Sequence, residues 1–532
     1  MNSIYNSLKP IDFAVVGVYL LLLFGLAYWV SFVKKRKPDE NLFLAQHSLK
    51  WYSIGLNMWG TNVGPSMLIA SASIGYTTGI VAGNFAWYAF VFILLLAVVF
   101  APKYLGAKVW TLPEFMGKRF GDKTRNVLAW YTLITILISW LSLGLFAGGI
   151  LVQQLLNVPM WQSVIAMVLV ATFFAASGGL KAIAITNVFQ MILLIIVSLT
   201  LTIIGIEKVG GLSALYHKVP ANYWNLFLPS NDKNYPWMAI VLGYPIMGVW
   251  FWCTEQSMVQ SVLGAKNLEQ GQLGANFIGW LKILDVPLFI IPGVLCFVLF
   301  PHLKDPDQAY LVMVTNLFPQ GMKGLIIVVL IAALVSNIGS SLNSVSTVFT
   351  MDIFVKKYKP QATNKEIIKI GRWVTVWSAI LSVLIALAIN SIKGLNLFDV
   401  FQSVLGFLAP PMSVVFLFGV LWKKTTAKAV NAILIYGTIF SILIGVLYLW
   451  VFPVANYPGW PNFLLLSFYI FVILSAVAFL ISYADKNSTI QLADSFDFNG
   501  EALSIKPTKK VWIWWGLLIM VMIALYIIFN GH

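Results

Sequence analysis

Gly60-Thr61-Asn62-Val63-Gly64-Pro65-Ser66 is the stretch whose reading decides the fold. It interrupts an apolar run, with residues 51–59 before it and 67–76 after it, each barely long enough for half a bilayer. Pro65 removes a backbone donor and clashes with the preceding turn, so the helix cannot run through. In hydrocarbon, the carbonyls freed in this way are tolerated only where protein or a cavity satisfies them again. A helix broken at mid-membrane depth points to an ion and solute site. An ordinary proline kink is the competing explanation, and partners elsewhere in the chain must separate the two.

The chain has 532 residues, of which 60% are apolar, 15% aromatic and only 10% charged. A soluble globular protein averages about 25% charged residues. Apolar runs of about 20 residues, the length that crosses a ~30 Å hydrocarbon core, recur from one end to the other. The composition is therefore that of a polytopic membrane protein. Fourteen spans are expected: 11–32, 51–76, 80–101, 127–157, 160–178, 184–206, 236–263, 273–300, 323–350, 367–391, 398–422, 426–453, 462–483 and 511–529. The first is too long for a signal-peptide core and lacks a small-residue cleavage site, so it is expected to be retained as a helix.

The net charge of +15 could suggest nucleic acid, but its distribution argues for topology. Placing the N-terminus outside puts 26 of the 34 basic residues on one set of loops and 7 on the other, with Lys282 inside a span. By the positive-inside rule the basic side is cytoplasmic. Both termini are then extracytoplasmic, in a multi-pass protein of the plasma (inner) membrane. The two cysteines, Cys253 and Cys296, fall in apolar segments and suggest no disulfide framework. The four histidines lack metal-ligand spacing, no phosphate-binding glycine loop is present, and no nucleophile–base set appears. These features argue against an enzyme and against ATP as the energy source, and no obligatory protein partner is indicated.

Polar residues inside a membrane are costly and by default mark function. Residues 248–260, GVWFWCTEQSMVQ, form a second polar and aromatic interruption five spans after the first, as an inverted repeat would produce. Glu255 in that stretch has the position of a helix cap. Lys282 and Asp285 stand three residues apart on one helical face, either neutralising each other or presenting an oriented ammonium to a solute. Ser336 and Asn337 head a run of small hydroxyl residues on an otherwise apolar span. Most of that run suits helix packing, whereas a desolvated cation needs hard oxygens of the kind these two supply. Gln402, just before Gly406 and the Pro410-Pro411 pair, is not explained by a proline kink.

With these stretches assembled, the sequence resembles the sodium/solute symporter family, and within it the sodium/glucose cotransporters. The matching text includes Asn62-Val63-Gly64, Thr111-Leu112-Pro113-Glu114-Phe115, Lys118-Arg119-Phe120-Gly121 and Trp250-Phe251-Trp252-Cys253-Thr254-Glu255-Gln256. It continues through Ala265-Lys266-Asn267, Leu281-Lys282, Leu342-Asn343-Ser344, Phe349-Thr350-Met351-Asp352-Ile353 and Trp422-Lys423-Lys424-Thr425-Thr426. The resemblance implies an all-α membrane protein of about 14 transmembrane helices with a five-plus-five inverted-repeat (LeuT-type) core. The expected units are an N-terminal accessory helix with a basic loop (1–50), a first repeat (51–206) and an extracellular loop (207–235). A second repeat (236–422) and C-terminal accessory helices (423–532) follow.

The resemblance also implies site residues. Sodium is expected at the backbone oxygens of Gly60, Val63 and Ala333 and the side chains of Ser336 and Asn337. Solute is expected at Asn62, Met67, Ala86, Trp250, Phe251, Trp252, Lys282 and Gln402. The chain departs from the sugar transporters at Met67, Ala86, Ala89 and Gly248, where they typically carry polar groups, and at Asn187, where they commonly carry Asp. Each unsatisfied partner of a buried sugar hydroxyl costs ~1–3 kcal/mol, so this more apolar wall suits a solute with fewer or differently placed hydroxyls. Loss of the carboxylate at Asn187 favours one sodium per cycle. The expected function is sodium-coupled symport of a sugar or polyol by alternating access. The alternatives are the same fold carrying a carboxylate, vitamin-like or amino-acid-like solute, and a non-transporting sensor or leak channel.

Overall fold

The apolar runs fold as helices, because in lipid only a helix satisfies every backbone group within its own segment. A computed structural model describes residues 8–29, 43–232, 234–390, 397–453, 456–457, 459–485 and 507–530. Numbering helices of eight residues or more, the chain opens with α1 (Pro10–Tyr28), α2 (Trp51–Asn62), α3 (Pro65–Thr78) and α4 (Ile80–Gly106). Next come the amphipathic α5 (Leu112–Phe120), then α6 (Asp122–Gln153) and α7 (Met160–Val209). The second half holds α8 (Ala239–Thr254), α9 (Gln256–Leu263), α10 (Leu268–Leu299), α11 (Ala309–Leu317) and α12 (Met322–Tyr358). The chain closes with α13 (Asn364–Asn390), α14 (Leu397–Leu421), α15 (Ala427–Val451), α16 (Phe463–Ala484) and α17 (Lys509–Ile528).

Nine of these, among the described residues, are long and apolar enough to cross a membrane singly, and shorter apolar pieces lie at 10–26, 239–254 and 405–421. The expected spans 160–178 and 184–206 are two helical stretches of α7, joined by a kink at Gly179, whose backbone (φ 58°, ψ −157°) is not helical. That backbone conformation is open to glycine and strained for a residue with a Cβ. π turns are built into α6 at 136–143 and into α12 at 349–358, the latter carrying that helix past its expected end at 350.

Burial sorts the helices into an inner and an outer set. In α12, 83% of the most apolar window is inside the protein, and in α10, 67%. For α13 and α17 the share is 22%, leaving apolar faces turned outward as lipid requires. Small residues make the closest approaches, as expected where van der Waals contact drives helix association in membranes. A Cβ at Gly148 of α6 would sit 2.5 Å from Leu334 of α12, and one at Gly279 of α10 would sit 2.5 Å from Leu518 of α17. Asp12 of α1 accepts hydrogen bonds from the Gly321 and Gly324 N–H groups at 2.7 and 2.8 Å, tying α1 to the start of α12.

Candidate functional site

The first interruption follows from its residues. Pro65 has no N–H, and its ring disfavours helical backbone at the residue before it. Val63 (φ −77°, ψ 88°) and Gly64 (φ −98°, ψ 162°) accordingly leave the helix, and Pro65 opens α3 at the first-turn position that suits proline. The hydrogen bonds then redistribute. The Gly64 N–H, which in an unbroken helix would reach the Gly60 carbonyl, turns to Asn62 O at 3.0 Å. The Thr61 carbonyl, facing a proline where a donor would stand, accepts from Asn337 Nδ2 of α12 at 2.6 Å. The Thr61 hydroxyl lies between Asn57 O (2.9 Å) and Ser340 Oγ (3.0 Å). The break is thus bonded to α12 twice.

The second interruption falls at Glu255 (φ −86°, ψ 125°), between α8 and α9. Its carboxylate turns back on its own chain: Oε2 accepts from Met258 N at 3.0 Å and from Ser257 Oγ at 2.6 Å. This is an N-cap, matching the expectation from sequence. Oε1 is buried and has no partner among the described residues. Gln260 fixes α9 to α12, donating to Thr347 Oγ1 (2.7 Å) and accepting from Ser344 Oγ (2.7 Å).

Between the breaks lies a cavity of about 170 Å³. Asn62, Met67, Ala86, Trp250, Phe251, Trp252 and Lys282 all line it, as does Asn337. Gln402 lies on α14, and its side chain is outside the described residues. Gly60, Val63, Ala333 and Ser336 are not on the wall; they are buried beside it along α2 and α12. Ala86 and Gly248 add apolar surface to the wall. At Gly248 a Cβ would meet the Phe92 ring at 2.4 Å, so that ring fills the space.

The only charged residues on the wall, among the described residues, are Lys282 and Asp285. They are 0% and 1% exposed. The ammonium bonds Asp285 Oδ2 and donates to Asn62 Oδ1 at 2.8 Å, with the Trp252 ring centre 5.7 Å away. Trp59 Nε1 donates to Asp285 Oδ1 at 2.8 Å. Both carboxylate oxygens are held, and the pair is bridged through Asn62 to the first break. A buried pair of this kind is costly to split, because removing one partner leaves an uncompensated charge.

Sequence reasoning missed several lining residues. Ser139, buried and with no partner for its hydroxyl among the described residues, lies on the wall beside Trp140. Trp140 stacks on Trp250 with ring centres 6.3 Å apart and packs on Phe251 at 5.4 Å. Tyr244 lines the cavity too and donates its hydroxyl to Phe85 O at 2.7 Å. In apolar text these residues carry no spacing signal of their own.

Asn187 sits in a neutral chain of side chains. Asn57 Nδ2 donates to Ser261 Oγ (2.6 Å), Asn187 Nδ2 donates to Asn57 Oδ1 (2.5 Å), and Ser336 Oγ donates to Asn187 Oδ1 (2.5 Å). Ser336 keeps its oxygen lone pairs while its proton points to Asn187.

A model of the sodium:solute symporter family matches residues 42–437. The chain belongs to the sodium:solute symporter family. Among curated relatives, sodium/myo-inositol cotransporter 2 of Oryctolagus cuniculus is 30% identical over 493 residues, spanning 85% of this chain and 72% of the relative. Sodium/glucose cotransporter 4 of Danio rerio is 30% identical over 474 residues, spanning 82% and 71%. A solved Na⁺-coupled sialic acid symporter in a substrate-bound outward-open state superposes with a TM-score of 0.75 at 20% identity, covering 89% of this chain and 98% of its own. A nucleobase-cation-symport-1 family transporter follows with a TM-score of 0.52 at 15% identity, covering 88% and 98%. The fold is that of a transporter, and this symporter is not an enzyme.

Proposed function

We propose that this symporter imports a small uncharged polyhydroxylated solute, a sugar or polyol, together with sodium by alternating access. The observation that carries the reading is the cavity between the two broken helices, where Asn62 of the first break is bonded to Lys282. The names of the two curated relatives, a myo-inositol and a glucose cotransporter, point the same way. The architecture proposed with it is fourteen spans with inverted repeats at 51–206 and 236–422, and both termini outside the cytoplasm.

Sodium is written here as co-substrate. Its proposed ligands are the carbonyls of Gly60, Val63 and Ala333 and the oxygens of Ser336 and Asn337. The donor chemistry fits a hard cation: the Gly60 carbonyl loses its usual helical donor to Asn62, and Asn337 already reaches the break through Thr61. Sodium entering from outside would strengthen the α2–α12 junction and hold the outward-open state. Solute then settles against Asn62, Lys282 and the Trp250–Trp252 aromatics, and loss of sodium to the cytoplasm loosens the junction and releases both. Asn187, in its neutral chain, offers no carboxylate for a second cation, so the proposed stoichiometry is one sodium per solute.

One charge crossing ~100 mV is worth ~2.3 kcal/mol. A tenfold sodium gradient adds ~1.4 kcal/mol, and together they support roughly 500-fold accumulation. The test is a sodium-driven uptake screen in proteoliposomes over sugars, polyols and organic acids. Accumulation of a neutral polyol or sugar that collapses when sodium is replaced by choline is the expected result. Passage without accumulation would identify a leak pathway, and uptake of acids alone would remove the sugar reading.

A further inference from the structure

Lys282, alone on the wall, would make this cavity a receptor for anions. Asp285 changes that. One helical turn on, its Oδ2 takes the ammonium while Trp59 Nε1 pins Oδ1 at 2.8 Å, so neither oxygen can swing away without losing a buried bond. Asn62 Oδ1 takes a second ammonium hydrogen at 2.8 Å. Three hydrogens on a lysine nitrogen leave one for the solute. Asn62 Oδ1 has accepted one bond from Lys282, which leaves the amide one further lone pair and its Nδ2 donors. Ser139 adds a buried hydroxyl with no partner among the described residues.

The wall therefore offers single hydrogen bonds of the kind a solute hydroxyl satisfies, on a pair whose charges cancel. A solute carboxylate would face Lys282 with its charge already met and would bring a second negative charge against Asp285. Like charges held close in a poorly solvated site repel strongly. Trp252, 5.7 Å from the ammonium, contributes a π face rather than a counter-charge.

We infer that Asp285 is the specificity-determining residue of the cavity: by neutralising Lys282 it admits uncharged polyhydroxylated solutes and turns away their carboxylate analogues. The inference rests on the functional reading above and adds to it the residue that sets charge selectivity. Asp285 acts through Lys282, as a positioning residue, so its signature is a change in which solute is preferred.

The experiment measures half-saturating concentrations in proteoliposomes for glucose, myo-inositol and glucuronate, the last differing from glucose by a carboxylate in place of the terminal CH₂OH. In the full-length wild type, at least one neutral solute is taken up and glucuronate is not. In Asp285→Asn the amide still offers Trp59 an acceptor but leaves the ammonium uncompensated. Glucuronate then gains at least ~10-fold in affinity relative to the neutral solute, as a newly unopposed close charge requires. In the double variant Lys282→Gln/Asp285→Asn, with both charges gone, that gain disappears and the neutral solute is again preferred. Should Asp285→Asn not be recoverable from the membrane, the double variant and the wild type carry the test.

Glucuronate competing as well as glucose or myo-inositol in the wild type would overturn the inference. So would an Asp285→Asn protein that takes the neutral solute and still excludes glucuronate, or a double variant that prefers glucuronate. A wild type that responds to neither neutral solute would instead overturn the sugar or polyol reading, and the inference with it.

Discussion

The two broken helices solve the same problem with a different balance of local and distant partners. At Glu255 the chain repairs itself: a carboxylate from the break caps the helix that follows, through Met258 N and Ser257 Oγ. At residues 60–65 much of the repair comes from elsewhere. Thr61 O is taken by Asn337 of α12, and Asn62 Oδ1 is taken by Lys282 of α10. The self-made cap at Glu255 is joined by an outside bond, from the Tyr104 hydroxyl of α4 to the Cys253 carbonyl at 2.8 Å. At the first break local bonds, such as Gly64 N to Asn62 O, are joined by bonds from α12 and α10 that couple its position to theirs, and that coupling is what a transporter needs where solute and ion bind.

The sharpest way to break the comparison is Lys282→Ala. Asp285 would remain buried without its counter-charge, a loss of about 3–5 kcal/mol for a split buried pair. Thermal unfolding in detergent should show a large drop in midpoint, and uptake should vanish. No substitution at Glu255 should match it. If Lys282→Ala is as stable as the wild type, the charge pair is not a junction between α2 and α10.

Asn337→Ala comes next. It leaves the Thr61 carbonyl buried beside a proline with no donor, at a cost of about 1–3 kcal/mol. On the proposed sodium site it also removes a ligand oxygen, so the half-saturating sodium concentration for uptake should rise at least tenfold. Ser336→Ala should move the same quantity in the same direction, while also releasing Asn187 Oδ1. Unchanged sodium dependence in both variants would dismiss the proposed cation cage. By contrast, Glu255→Ala should cost about 0.5–2 kcal/mol, the worth of an N-cap, and lower the unfolding midpoint without altering sodium dependence. A sodium shift in Glu255→Ala equal to that in Asn337→Ala would erase the distinction between the two breaks.

The contrast also explains what the sequence could and could not reveal. The first break was legible because Gly, Pro and Asn in apolar text interrupt a helix, and the Lys282–Asp285 pair because residues three apart on a helix share a face. The Glu255 cap was legible for a similar reason, since its bonds go two and three residues along its own chain. What stayed hidden is long-range. Asn337 and Thr61 are 276 residues apart, and the link from Trp59 to Asp285 spans 226. Ser139 and Trp140 sit in a run where every position is apolar or small, so only the packing of α6 against its neighbours decides which side chains meet the cavity. Gly248 is the instructive case. As text it is a missing polar group, and in the fold it is the space into which the Phe92 ring fits.

The smallest expected effect tests whether a carboxylate cap matters only for being buried. Glu366, at the start of α13, is the exposed counterpart of Glu255. Its Oε2 accepts from Thr363 N at 3.0 Å, Thr363 Oγ1 receives Glu366 N at 3.4 Å, and Lys359 pairs with Oε1 at 2.5 Å. This reciprocal arrangement is a capping box, and water and salt screen it as they do any surface pair. Glu366→Gln keeps an acceptor for Thr363 N and removes only the ion pair with Lys359. Hydrogen exchange over residues 363–368 should quicken modestly, with no change in unfolding midpoint or sodium dependence. The same Gln substitution at Glu255 acts where no water can replace the lost charge, so it should lower the midpoint measurably. Equal responses at the two sites would mean that the buried cap draws nothing from its seclusion, and that the second break is held by Gln260 and its bonds to α12 instead.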